Sequence, residues 1–243
     1  MNRTLNAAIF GLAIIIAALL LGKAYVDRSK TNNNIAITGL GETDFVSDLI
    51  VWEGRFNKLN HNLKQAFVDL EKDKEEILNY LISKGIDKNY IVFSSVNSDE
   101  RSKRLYGDNG NYLGEEFIGY ALSQSVEIKS SDVEKVERIS REITELLNKG
   151  VQLYSQSPRY YYTKLADLKI EMISKATEDA RTRAEKIAQN SGAKLGSLVS
   201  ASMGIFQIVG QHSAEEYSWG GTFNTSSKEK TASITMKLVY EID

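Results

Sequence analysis

Alanines recurring every fourth residue constrain how the folded part of this chain can pack. In Leu165 to Gly192, LADLKIEMISKATEDARTRAEKIAQNSG, apolar side chains fall at Leu165, Leu168, Met172, Ile173, Ala176, Ala180, Ala184, Ile187 and Ala188. Three-and-four spacing gathers them on one face of a helix. Because Ala176, Ala180, Ala184 and Ala188 are small, that face is predicted to approach a sheet or a second helix closely. Lys175, Glu178, Asp179, Arg181, Arg183, Glu185 and Lys186 keep much of the remaining surface wet. Gly192 is the expected stop, since glycine takes the left-handed conformation without a Cβ penalty.

The second constraint is at the N-terminus. Ala7 to Gly22, AAIFGLAIIIAALLLG, is uncharged and almost wholly apolar. With Lys23 snorkelling, a helix over residues 5–26 reaches across a hydrocarbon layer that needs roughly 20 residues. An uncleaved membrane anchor and a signal peptide cut after Ala24 both fit, and Lys23 together with the length of the run favours the anchor. A short N-terminal tail before one early apolar segment places the bulk of the chain outside the cytoplasm. Asp27 to Asn34, DRSKTNNN, then reads as a polar tether, residues 27–34, leading to a folded region over 35–243.

That region reads as an α+β domain. The first strand is expected at Ile35 to Leu40, closed by Gly39 and Gly41, and the second at Leu49 to Lys58 with Ile50, Trp52 and Phe56 on one side. Asn60 is the expected cap of a helix over His61 to Lys84 whose inward face is Leu63, Phe67, Leu70, Ile77, Leu78 and Leu81, ended by Gly85. A strand over Tyr90 to Val96, extended through DERSKRLY, leads to an Asn109-Gly110 turn, the dipeptide that tolerates positive φ at both positions. The returning arm alternates: Ile118, Tyr120, Leu122, Val126 and Ile128 on one side, Ser123, Ser125, Glu127 and Lys129 on the other. Ser131 and Glu134 form a capping box for a helix with the stripe Val133, Val136, Ile139, Ile143, Leu146 and Leu147, stopped by Gly150 ahead of a strand to Ser155. Strand, helix, strand thus occurs twice, the pattern of pseudo-duplicated β-α-β units with mostly antiparallel sheets. After the alanine helix come a strand from Leu198, a serine- and glycine-rich loop over 210–228, and a closing strand over Ala232 to Ile242.

Few residues point to chemistry. The absence of cysteine removes disulfides, thiol catalysis and thiolate metal sites. His61 and His212 are the two histidines, in no ligand spacing such as HExxH, so neither a metal nor a cofactor is expected; His61 is expected in a first helical turn and His212 in a loop. Glu178 and Asp179 are adjacent on a helix and diverge by about 100°, too far to share one proton, and local pairing with Arg181 to Glu185 is the plainer reading. Glu115 and Glu116 are equally ordinary. No GxGxxG, GxxxxGK[ST] or G-x-S-x-G is present. A net charge of -2 gives no broad attraction to nucleic acid. Exposed aromatics offer the better lead. Tyr217, Trp219 and Phe223 lie in the 210–228 loop, and Arg159 with Tyr160, Tyr161 and Tyr162 forms a second patch; both are candidate contact surfaces for another subunit, a lipid headgroup or a glycan, or else fold back over their own core.

ATEDARTRAEKIAQNSGAKLGSLVS, Ala176 to Ser200, resembles the characteristic stretch of SIMPL-domain proteins, an A-x-x-x-A-x-x-x-A helix ending in glycine and followed by Leu-Gly. Ile35 to Gly41, ending ITGLG, is similar to the family's opening strand and Ala232 to Ile242 to its closing one. Ala176, Ala180, Arg181, Ala184, Ala188, Gly192, Leu195 and Gly196 are read as structural positions. The resemblance implies a non-enzymatic protein of the periplasm or outer envelope, with some relatives forming ring-like or channel-like homo-oligomers and some linked to oxidative stress. The expectation is therefore a membrane-anchored envelope scaffold, self-associating beyond a dimer, with no nucleic-acid partner. An envelope hydrolase built from dispersed carboxylates and a ligand or glycan receptor using the 210–228 loop are the alternatives.

Overall fold

The structure is a computed structural model that describes residues 3–30, 34–216 and 218–242. Its elements run α1 (Arg3–Lys30), β1 (Asn34–Val46), β2 (Leu49–Asn60), α2 (Leu63–Ser83), β3 (Ile91–Phe93), β4 (Asn97–Tyr106), β5 (Tyr112–Ser130) and α3 (Val133–Glu142). After α3 follow a 3₁₀ segment (Ile143–Lys149), β6 (Leu153–Ser155), β7 (Arg159–Tyr161), α4 (Leu165–Asn190), β8 (Leu195–Met203), β9 (Gln207–Gly210) and β10 (Glu229–Ile242). Strand pairs with a recorded register are antiparallel, which makes this an α+β protein.

Helix α1 is longer than the apolar run that nucleates it and continues through Lys30, so the first four residues of the expected tether are helical. Its window Ile9–Val26 is long and apolar enough to cross a membrane, and none of it is buried. A signal sequence has the same character.

The chain divides into two compact units. The larger spans Asp44–Asp167 and Ile208–Ala232. Its sheet has the order β3-β5-β2-β6, with β4 also on β5 and β7 also on β2. The passages β2-α2-β3 and β5-α3-β6 interleave in it, the order of a split β-α-β arrangement. Alternation drives the packing: Ile50, Trp52 and Phe56 of β2 and Leu122, Val126 and Ile128 of β5 are buried with Leu70, Ile77 and Leu81 of α2 and Val136 and Ile139 of α3. Burying each such side chain contributes roughly 1.5–3 kcal/mol. Trp52 keeps its polar end satisfied by donating from Nε1 to Ser155 Oγ at 2.9 Å. Ser155 in turn donates to the Ser140 carbonyl at 3.0 Å.

Several local expectations shift. The cap of α2 is Asn62, whose side chain accepts from the Gln65 N–H, in place of Asn60. His61 accordingly precedes the helix. The buried face of α2 rotates onto Ala66, Leu70, Asp73, Ile77, Tyr80 and Leu81, leaving Leu63 and Phe67 each 46 % exposed. Asp132, and not Ser131, caps α3 through its side chain on the Lys135 N–H. Leu147 stands outside the stripe, because the 3₁₀ segment breaks the 3.6 period. The hairpin turn has positive φ at Gly110 but not at Asn109, and Gly107 closes it by donating to the Asn111 carbonyl at 2.9 Å.

The smaller unit comprises Met1–Thr43, Leu168–Gln207 and Ser233–Asp243. Within it the sheet order is β1-β10-β8. Leu168, Met172, Ala176, Ala180, Ala184 and Ala188 form the buried face of α4, and Ile234, Met236, Leu238 and Tyr240 are buried along β10. Gly39 and Gly41 do not end the first strand; they lie inside β1 and are buried. Gly192 follows α4 with φ of 77°, the left-handed stop its sequence predicts.

Candidate functional site

Trp219, Phe223 and Arg159 to Tyr162, candidates for a contact surface, lie in the larger unit. Trp219 is 98 % exposed and Phe223 is 50 % exposed; Tyr217 lies outside the described residues. The loop carrying them is internally tied. Glu215 accepts the Gly210 N–H at 2.9 Å and also receives the Asn224 side-chain amide. Asn224 is buried and accepts the Ser227 N–H at 2.8 Å. The base of the loop is therefore fixed while its tip projects an indole.

The second aromatic patch separates into three environments. Tyr160 is buried in the core at 7 % exposure and so cannot serve as a contact residue; β7 alternates, and its middle residue points inward. Burial, then the nearby Glu137 carboxylate, raises the Tyr160 phenol above its ordinary pKa. Tyr161 and Tyr162 are half-buried, and the Tyr162 ring packs against Phe45 at a tilt of 54°, with centroids 4.8 Å apart. Arg159 is exposed. Adjacency in sequence had marked all four as one surface.

The fold also links this patch to the loop, which sequence spacing did not indicate. The Tyr160 N–H donates to the Thr225 carbonyl at 2.7 Å. The Tyr160 carbonyl accepts from Lys230 Nζ at 2.6 Å. Lys230 is 1 % exposed, and burial pushes its amine down to about 8, with Glu215 pulling the other way. Lys230 is in phase with the buried Ala232, Ile234 and Met236 of β10, so the alternation carried back two residues marks it as inward-facing.

Around the loop's other end, Lys228 Nζ lies 2.8 Å from Glu134 and 3.2 Å from Glu137. Arg141 adds a contact to Glu137 at 3.0 Å. Burial alone would push the Glu137 carboxyl up, but Arg141 and Lys228 outweigh it and hold the group below its usual range.

Several carboxylates elsewhere are matched by cations. Lys84 bridges Glu142 at 2.9 Å and Glu145 at 3.1 Å, and Glu145 is held low by Lys84 and the Tyr80 hydroxyl. A cleft of about 610 Å³ is lined by Asp69, Asp73 and Glu76 together with Lys58, Lys72 and Lys149, and Lys58 pairs with the buried Asp73 at 2.8 Å. The lysines offset the acids of this cleft, so it lacks the uncompensated acid pair that a hydrolase needs. No group of three or more metal-ligating side chains gathers among the described residues. His61 sits 6.0 Å from the Phe117 ring, and His212 takes a φ of 56° in its loop.

Ala176, Ala180 and Ala184 are 0 % exposed and Ala188 is 2 % exposed. Arg181 pairs with Glu185 at 2.9 Å on the wet side. Asp179, one member of the tempting acid pair, accepts the Leu40 backbone N–H at 2.9 Å and Arg183 Nε at 2.9 Å. The Leu40 bond, then Arg183, outweighs the effect of burial and holds the Asp179 carboxyl below its ordinary pKa. It is a brace between strand and helix. Leu195 opens β8, and a Cβ on Gly196 would meet the Glu241 carbonyl oxygen at 3.1 Å.

Comparison with curated proteins gives no match. The model of one family, SIMPL, described as a protein of unknown function (DUF541), matches residues 35–240. With the alanine-faced helix, its glycine stop and the strands at either end of that span all in place, the chain belongs to the SIMPL family.

Proposed function

We propose that this chain is a non-enzymatic scaffold of the cell envelope, anchored through residues 5–26 with its bulk outside the cytoplasm, that assembles into a ring-, channel- or cage-like homo-oligomer above a dimer. The observation that carries the proposal is α1: the apolar stretch Ile9–Val26 leaves all of its side chains uncovered by the protein. Lipid is the solvent that removes this cost, since exposed apolar side chains of this number are unfavourable in water. Residues 1–26 are then the anchor, 27–34 the approach to the surface, and 35–243 a SIMPL domain of pseudo-duplicated β-α-β units. Anchoring copies on one surface raises their effective concentration, so weak contacts between domains suffice for assembly. The family resemblance adds a place in envelope or oxidative-stress defence.

The exposed Trp219 supports a second reading, in which the 210–228 loop receives a lipid headgroup or glycan. Alkaline carbonate extraction of membranes, with N-terminal sequencing of the retained protein, tests the first reading. Retention in the pellet with residues before Tyr25 intact is expected. A carbonate-soluble protein starting at Tyr25 would replace the anchor by a cleaved signal.

A further inference from the structure

Strand β8 pairs antiparallel with β10 on one side, from Met203 opposite Met236 to Leu195 opposite Ile242, and ends the sheet on the other. Its outer edge therefore presents a row of backbone N–H and C=O groups. Every residue from Ser197 to Met203 is exposed, including Leu198 and Val199 at 51 % and Met203 at 60 %. The strand reads LGSLVSASM, with no charged residue and no proline. Soluble proteins guard such edges with charge, proline or brevity. The other edges here are guarded: β4 carries Asp99, Glu100, Arg101, Lys103 and Arg104; β3, β6 and β7 are three residues each; β1 carries Glu42 and Asp44.

We infer that the β8 edge is a docking site for β8 of a second copy, paired antiparallel about a two-fold axis near Ser200. The inference rests on the self-assembly reading and names its contact. Charge selects the occupant. No register of β8 on β8 opposes two charges, whereas seating β4 there would press its ionised side chains against a strand that offers none of them a partner. An antiparallel strand is also self-complementary under a two-fold axis, the commonest symmetry of homo-oligomers. Met203, Ala201 and Leu198 stand opposite Met236, Leu238 and Tyr240 on the face of β10 that is buried, yet remain exposed themselves. A second β8 about that axis sets its Val199 and Ser197 opposite Ala201 and Met203 and covers them. Ser200–Met203 pairs one-to-one with Val239–Met236, which fixes the half of the edge on one side of the axis. This contact closes at two chains, so a larger assembly uses a second, different surface.

The cysteine-free sequence makes cross-linking unambiguous. Full-length Ser200→Cys and Ser202→Cys proteins in detergent, oxidised in parallel with Ser98→Cys on the exposed β4, are expected to give at least tenfold more disulfide-linked dimer from one β8 position than from Ser98→Cys. Ala201→Lys, at an exposed site, is expected to lower the assembly mass at least twofold with an unchanged circular dichroism spectrum. If the wild-type protein is larger than a monomer while both β8 cysteines cross-link no better than Ser98→Cys and Ala201→Lys keeps its mass, the β8 contact is overturned and the scaffold reading stands. A monomeric wild-type protein overturns both.

Discussion

Gly39 of β1 lies directly against Ala180 of α4: a Cβ built on the glycine would come 2.7 Å from the Ala180 Cβ and 2.1 Å from the Ala176 carbonyl oxygen. Gly41 meets Met172 and Ala176 in the same way, one turn back along the helix. The alanine face and the two glycines are two halves of one contact, in which helix and strand backbones touch with almost no side chain between them.

Gly39→Ala is therefore expected to destabilise the protein by about 3 kcal/mol, the upper range for forcing an extra carbon into a packed site whose neighbours are backbone. Urea denaturation of the soluble region checks this. Gly220→Ala, where a Cβ meets nothing nearer than Ser218 Oγ at 3.9 Å, is the matched substitution, expected to change little.

Asp179 joins the same two elements by hydrogen bond. Its pKa is lowered in the fold, so its contribution is present above the ordinary carboxylate value and is lost as pH falls through the folded value. Asp179→Ala is expected to cost about 1 kcal/mol near neutral pH, the net worth of one such hydrogen bond, and to flatten the acid limb of a stability-versus-pH curve. An unchanged acid limb would detach Asp179 from the brace.

Lys230 predicts the opposite limb. Its amine is lowered to about 8 from an ordinary 10.5, so between those values the unfolded chain holds the proton and the folded one does not. Stability must then rise with pH across that window. Lys230→Met removes the charge that is buried at lower pH and is expected to abolish the alkaline rise. Thermal denaturation of both proteins from pH 7 to pH 10.5 checks the difference.

How much of this was legible in the sequence depends on whether periodicity or contact decided the point. The buried faces of β2, β5, β10 and α4 follow from alternation and three-and-four spacing, and the stops at Gly85, Gly150 and Gly192 from the need for positive φ. Gly39 and Gly41 were read as strand terminators because glycine usually punctuates; only their position under Ala176 and Ala180 shows that they allow close approach. Tyr160 was misread for a related reason, since in a three-residue strand one tyrosine turns inward and its neighbours do not. The inward position of Lys230 follows from alternation once β10 is carried back past Ala232, whereas its Tyr160 partner and the Tyr160–Thr225 link join residues distant in sequence, which no local pattern encodes.

Trp219 and Phe223 are expected to be silent in stability and active in contact. Replacing both by alanine should change unfolding free energy by no more than about 0.5 kcal/mol, as for surface positions generally. Particle size and binding to lipid vesicles or glycans, measured on the same variant, separate the roles. Loss of assembly alone assigns the loop to the scaffold, and loss of binding alone assigns it to a receptor.

The most direct measurement is the mass of the full-length protein solubilised in detergent, by light scattering corrected for bound detergent or by particle imaging. A scaffold held at the envelope by its N-terminal helix is predicted to run as a discrete multiple, above two, of the 27.2 kDa chain. A mass of one chain across the micromolar range would contradict it.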